Sequence, residues 1–197
     1  DILVPTQWQA TLCNEQLPTG IIEEGERYRV HALPAYSSGN EVRYRYKFRQ
    51  LWLLLKEVKP DLIHCEQGAS ALSYTQLILC SKLLRLSVPF IFFTWINWQA
   101  PRRWSDLLLW DWIVRFNTFH TAGIIAGNQE AQRLLRQQSM TCPILVLPQL
   151  GVSHDIFKPK KEGACEKKIT KRLLFVGRFV QEKGIFLAPF YEPDLGD

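Results

Sequence analysis

The chain has 197 residues, enough for one large domain or a domain joined to part of another, and at 47% hydrophobic it has ample material for a packed core. Its 24 basic and 19 acidic side chains leave a net charge of +5, an excess that suits an anionic ligand, a membrane surface or nucleic acid and selects none of them. Five irregularly spaced cysteines (Cys13, Cys65, Cys80, Cys142, Cys165) include no C-x-x-C pair and argue for a reduced, cytoplasmic setting over a disulfide framework.

Ile2 to Val4 reads as a short strand closed by Pro5. Residues 6–27 are polar and mixed, with Pro18-Thr19-Gly20 as a turn signal. Alternation over Tyr28 to Leu33 predicts a strand, followed by a loop at Ser37-Ser38-Gly39-Asn40. Phe48, Leu51, Trp52, Leu55 and Val58 recur at helical spacing, which predicts a helix from about Tyr46 to Lys56, stopped by Pro60. Its approach, Arg43 to Arg49, interleaves cations with aromatics. That pattern fits a nucleic-acid patch or, more commonly, packed aromatics with snorkelling cations; no nucleic-acid partner is expected.

Leu62, Ile63 and Cys65 are strand-like, and Gly68 turns the chain into a helix from about Ala71 to Leu86. His64 and Glu66 stand two apart at the end of this strand, on the same side of an extended segment. The ends of parallel strands are where doubly wound sheets bind ligands, while a packed histidine and a capping carboxylate account for the pair equally well. A zinc-deaminase reading of His-x-Glu needs a P-C-x-x-C partner, which is missing. Pro89 to Phe93 is a strongly apolar strand, followed by Trp95, Asn97 and Trp98. Asp106 to about Phe119 predicts a helix with Ser105 as N-cap. It is apolar nearly all round, which favours burial, although its tryptophans and arginines are also membrane-interface residue types. Gly123 to Ala126 is a short buried strand, Asn128 the cap of a helix through Gln138 that turns Ala131, Leu134 and Leu135 inward, and the segment starting at Cys142 another buried strand.

Residues 151–170 shift to polar, charged composition and read as a passage between domains. Leu173 to Val176 is a buried strand ended by Gly177, with Arg178 and Lys183 close behind. A glycine that lets backbone approach a ligand, a planar guanidinium and a mobile ammonium make a diphosphate clamp; the same residues also read as a strand and loop with solvated cations. The alternation of apolar strands with helices implies a parallel α/β sheet. No P-loop, G-x-G-x-x-G fingerprint, G-x-S-x-G elbow or histidine cluster is present, which weakens ATPase, dehydrogenase, serine-hydrolase and metalloenzyme readings.

Three segments in order, "AGIIAGNQEAQRLL", "ILVLPQLGVSHDIFKP" and "LLFVGRFVQEKG", resemble landmarks of the family-4 retaining glycosyltransferases of GT-B fold, over about Lys59 to Gly184. The resemblance implies two Rossmann-like domains facing across a cleft: residues 1–150 as an incomplete acceptor-side domain, a parallel sheet flanked by helices; 151–170 as the passage; and 171–197 as the first strand of the donor domain. It implies that Gly177, Arg178 and Lys183 hold the diphosphate of a nucleotide-sugar donor, without a metal or other cofactor. It implies a glycan or lipid-linked acceptor on this domain and a role in surface polysaccharide synthesis; His64, Glu66, Trp95 and Asn97 are the candidate acceptor-side residues, and Trp95 or Trp98 either stacks on a sugar ring or fills core. Basic charge and tryptophans permit peripheral contact with the cytoplasmic membrane face.

The sequence departs from the family in three ways. Trp95 and Asn97 stand where many relatives carry a histidine. Pro189 and Pro193 interrupt a region where the family has a long helix. The family's earlier strand with its glycine loop and its downstream E-x7-E segment are absent, so the chain reads as a fragment that is not expected to transfer sugar by itself. No catalytic nucleophile is assigned. A non-catalytic basic and aromatic module binding lipid or nucleic acid, or an inactive fragment, is the alternative.

Overall fold

The computed structural model describes residues 1–8, 16–96, 104–138, 140–148, 150–151, 153, 155–156 and 158, with the backbone alone for 104–109. The chain divides into two units, Asp1–Gly151 and Val152–Asp197. The first is an α/β unit in which a four-stranded parallel sheet is flanked by helices, an arrangement compatible with a Rossmann-like fold.

The first strands form a separate three-stranded sheet. β1 (Ile2–Pro5) pairs in parallel with β3 (Arg29–Leu33), and β2 (Gly20–Glu24) lies antiparallel on the far side of β3. β2 falls inside the stretch expected to be polar and irregular. Gly20, expected in a turn, opens the strand instead with φ +116°, a backbone region that glycine adopts freely. Asp1 bridges to both Arg29 and His31, tying the start of β1 to its neighbour.

A two-stranded ribbon follows, β4 (Ala35–Tyr36) against β5 (Arg45–Tyr46). The ribbon claims Tyr46 and delays the predicted helix: α1 runs Phe48–Val58 and ends on Lys59 in the left-handed conformation. Within residues 43 to 47 the side chains alternate. Tyr44 and Tyr46 turn into the core, while Arg43, Arg45 and Lys47 stand in solvent. The two tyrosine rings meet edge to face at 5.6 Å, and Trp8 packs on Tyr44 at 5.3 Å. The side chain of Gln76 completes the hydrogen bonding of β5, accepting from Tyr46 N at 2.9 Å and donating to Tyr46 O at 2.7 Å.

The main sheet comprises β6 (Ile63–Cys65), β7 (Phe90–Thr94), β8 (Thr121–Ala126) and β9 (Ile144–Val146), all parallel and in sequential order. The connecting helices are α2 (Leu72–Leu83), α3 (Trp104–Phe119) and α4 (Gln129–Gln137). Residues of all three pack against one cluster, Phe116 representing α3. In it, Ile63, Cys65, Phe90, Phe92, Ile124 and Ala126 of one sheet face join Tyr74 and Ile78 of α2 and Ala131 and Leu135 of α4. Burying such a face supplies the dominant stabilisation of a sheet and helix layer. The alternate residues His64, Ile91, Ile125 and Leu145 point to the opposite face.

Three local expectations are corrected. The strand after Cys142 is not buried on both sides: β9 is the last strand of the sheet, and Leu145 is 57% exposed. Ser105 lies inside α3, which begins at Trp104. Nor is α3 buried all round. Ile113 and Asn117 are inside, whereas Trp112 and Phe119 face solvent. Asn117 is the polar pin of this helix, donating from Nδ2 to Ala69 O at 2.6 Å and Ala71 O at 3.3 Å at the entry to α2. Among the described residues no helix is long and apolar enough to cross a membrane.

Candidate functional site

The C-terminal ends of β6, β7 and β8 lie side by side, because Cys65 pairs with Phe92 and Thr94 with Ala126. Everything that leaves these strands emerges at one edge, the edge where parallel α/β sheets expose backbone and loops to ligands.

From β6 come His64 and Glu66. Their side chains meet, Nε2 to Oε1 at 3.5 Å, and both are substantially solvent-exposed. An exposed pair of this kind contributes little to stability. Gln67 is different, being structural. Its Oε1 accepts from Tyr44 Oη at 3.0 Å and from Cys65 Sγ at 3.2 Å, joining the strand end to the buried tyrosines. Burial raises the Tyr44 and Tyr46 hydroxyls above the ordinary phenol range and pushes the Cys65 thiol up to about 11, so this layer is neutral at physiological pH.

From β7 come Thr94 and Trp95. Thr94 Oγ1 accepts from the Ile96 amide at 3.2 Å, and its carbonyl accepts from Gly127 N at 2.9 Å, which holds the ends of β7 and β8 together. Gly68, after β6, faces the Thr94 side chain. Trp95 packs edge to face on Phe93 at 5.7 Å. Its six-membered ring lies against Gly127 so closely that a Cβ there would come within 2.6 Å of it. Even so seated, Trp95 is 46% exposed.

From β8 come Gly127 and Asn128. Asn128 is the expected N-cap of α4, its Oδ1 accepting from the Ala131 amide at 2.8 Å. Ala131 and Leu135 are the buried positions of that helix, and Leu134, expected beside them, is half-buried.

Of the anticipated acceptor-side residues, His64, Glu66 and Trp95 lie at the same edge, at the ends of the adjacent strands β6 and β7. Asn97 lies outside the described residues, as do Gly177, Arg178 and Lys183 of the anticipated diphosphate clamp. Gly127 was not foreseen as part of the site. Its role is to leave space for an indole contributed by the neighbouring strand, a partner separated from it by 32 positions of sequence that no local pattern identifies. Among the described residues no group of side chains that could hold a metal ion is found. Aromatic faces take the C–H side of a sugar ring, while carboxylate and imidazole groups hydrogen-bond its hydroxyls. No protein-family model matches the chain, and a search of curated proteins returns no match.

Proposed function

We propose that the chain is the acceptor-side part of a glycosyltransferase that moves a sugar from a nucleotide-diphosphate sugar to a glycan or lipid-linked acceptor, in the manner of the family-4 enzymes it resembles, in surface polysaccharide synthesis. The observation that carries the reading is the half-exposed Trp95 held on Gly127, at the same strand-end edge as the His64–Glu66 pair. The three family-like segments in order support it from the sequence side. In this reading Trp95 stacks on the acceptor sugar, and His64 and Glu66 orient its hydroxyls. Gly177, Arg178 and Lys183 hold the donor diphosphate. Negative charge builds on that diphosphate as the glycosidic bond breaks, so fixed cations stabilise the transition state more than the ground state. No metal is needed for that neutralisation.

The test is ligand-observed NMR with a panel of mono- and oligosaccharides. Saturation transfer to at least one saccharide is expected, lost in Trp95→Ala and retained in Leu79→Ser on exposed α2 surface. Saccharide binding that ignores Trp95, or none across the panel, overturns the acceptor assignment.

A further inference from the structure

The structure separates the two ingredients of the Arg43 to Arg49 segment. The tyrosines, the residues that would stack on bases, are buried. What remains outside is cationic: Arg43, Arg45, Lys47 and Arg49 are all exposed. None of the four makes an ion pair or donates a side-chain hydrogen bond among the described residues. Arg45 lies over the ring of Tyr36 at 5.4 Å, which steadies its guanidinium while leaving its charge unneutralised.

α1 continues this surface in an unusual way. Leu51 and Leu55 take the buried side. On the outer side, apolar residues persist: Phe48 is 53% and Leu53 52% exposed, and Trp52 packs on Phe48 with ring centroids 5.6 Å apart. Lys56 follows Trp52 one turn on. At 100° per residue, Phe48, Arg49, Trp52, Leu53 and Lys56 share one face of the helix. A helix serving only its own core would make that face polar.

The charge placement opposes helix stability. The first turn has no acidic residue, and Lys47 at the N-cap offers no side-chain acceptor to the free amides. The N-terminal end of a helix favours anions, and here it is given cations and left uncapped. An external anion resolves the conflict. Acidic side chains on these elements are Glu41, before the cations, and Glu57 at the far end of α1, both exposed.

We propose that the face formed by the β4–β5 ribbon and the outer side of α1 docks on an anionic lipid bilayer, with Arg43, Arg45, Lys47 and Arg49 among the headgroup phosphates and Phe48, Trp52 and Leu53 inserted at the acyl boundary. Cations flanking exposed apolar and tryptophan side chains on one helix face are the pattern of an interfacial helix. Nucleic acid fits less well, because the aromatic faces available for stacking are fewer and two aliphatic or benzyl groups would stay wet. None of these residues belongs to the strand-end group, so the surface stands or falls apart from sugar transfer.

Co-sedimentation of the 197-residue chain with vesicles of phosphatidylcholine alone, and of phosphatidylcholine mixed with phosphatidylglycerol, tests it. Binding is expected only to the mixed vesicles and is expected to weaken in high salt. Each cation contributes about fivefold to partitioning, so Arg45→Gln/Arg49→Gln should weaken binding roughly 25-fold. Phe48→Ser/Leu53→Ser should weaken it about tenfold by removing inserted surface. Lys82→Gln, on exposed α2, should bind as the parent does. Circular dichroism melts establish that each variant is folded, and the two double variants are independent, so loss of one to misfolding leaves the other decisive. Equal binding to both vesicle types, or parental binding by either double variant that is folded, overturns the proposal. So does tight binding to a single-stranded oligonucleotide that is unaffected by Phe48→Ser/Leu53→Ser, together with vesicle binding no better than to phosphatidylcholine.

Discussion

Gly127→Ala is the substitution whose outcome depends most sharply on the strand-end geometry. The added methyl would sit 2.6 Å from Trp95 Cδ2 and 2.7 Å from Cε3. Carbon atoms settle at about 3.5–4.0 Å, so the indole must retreat by about 1 Å and loosen its contact with Phe93. Overpacking of this kind costs about 1–3 kcal/mol in a closed core. Trp95 is nearly half in water and has room to move, so the low end, about 1 kcal/mol, is expected. With Trp95→Ala as background the sign reverses. Gly127 is not among the residues with positive φ, so alanine fits its backbone and gains about 0.5 kcal/mol by restricting the unfolded chain. Urea unfolding of the four proteins in the double-mutant cycle should therefore give a coupling of about 1.5 kcal/mol. A neutral Gly127→Ala in the parent, or a penalty that persists without Trp95, would refute the claim that this glycine exists to seat the indole.

Two further outcomes follow from local chemistry. Asn128→Ala removes the acceptor for the Ala131 amide and should lower stability by about 1 kcal/mol, against a few tenths for Asn128→Gly, read as the shift in urea midpoint. Burial pushes the thiols of Cys65 and Cys80 up to about 11, so each is protonated across the neutral range and becomes reactive only as pH rises towards that value. At pH 8 the thiolate fraction is roughly a thousandth, and titration of the native chain with a disulfide reagent should leave both unlabelled until denaturant is added. Rapid native labelling of either, mapped by peptide mass, would contradict their placement in the core.

The parallel half of the fold was legible because its signal is local. Ile63, Phe90 to Phe93 and Ile124 with Ile125 are short apolar runs bounded by breakers, and helices of readable period lie between them. The same signal misled at β9. An apolar run records what a strand is made of, while the position of that strand in the sheet decides whether both its faces are covered, and position is a tertiary property. β2 and the β4–β5 ribbon were invisible for a related reason. β2 lies in a polar, mixed stretch and the ribbon strands are two residues each, too short to show a period, so all three exist through pairing with β3 or with each other. Tyr46 shows the competition directly: helical spacing assigned it to α1, and the ribbon, with Gln76 bonding both its backbone groups, claimed it.

The site divides along the same line. Asn128 could be read from sequence because a cap is a contact between neighbours three residues apart. His64 and Glu66 could be placed at a strand end by their two-residue spacing, although their 3.5 Å contact needed the loop conformation after β6. The dependence of Trp95 on Gly127 was unreadable, since it joins two strands through their register. That dependence also changes what Trp95 can be. A tryptophan filling a void would be enclosed; Trp95 rests on a glycine at the ends of two strands and is still 46% exposed. Being seated while still exposed limits the entropy lost when a flat ligand stacks there. The geometry thus gives a physical reason to regard Trp95 as a binding group, which its composition and its neighbourhood in the sequence did not.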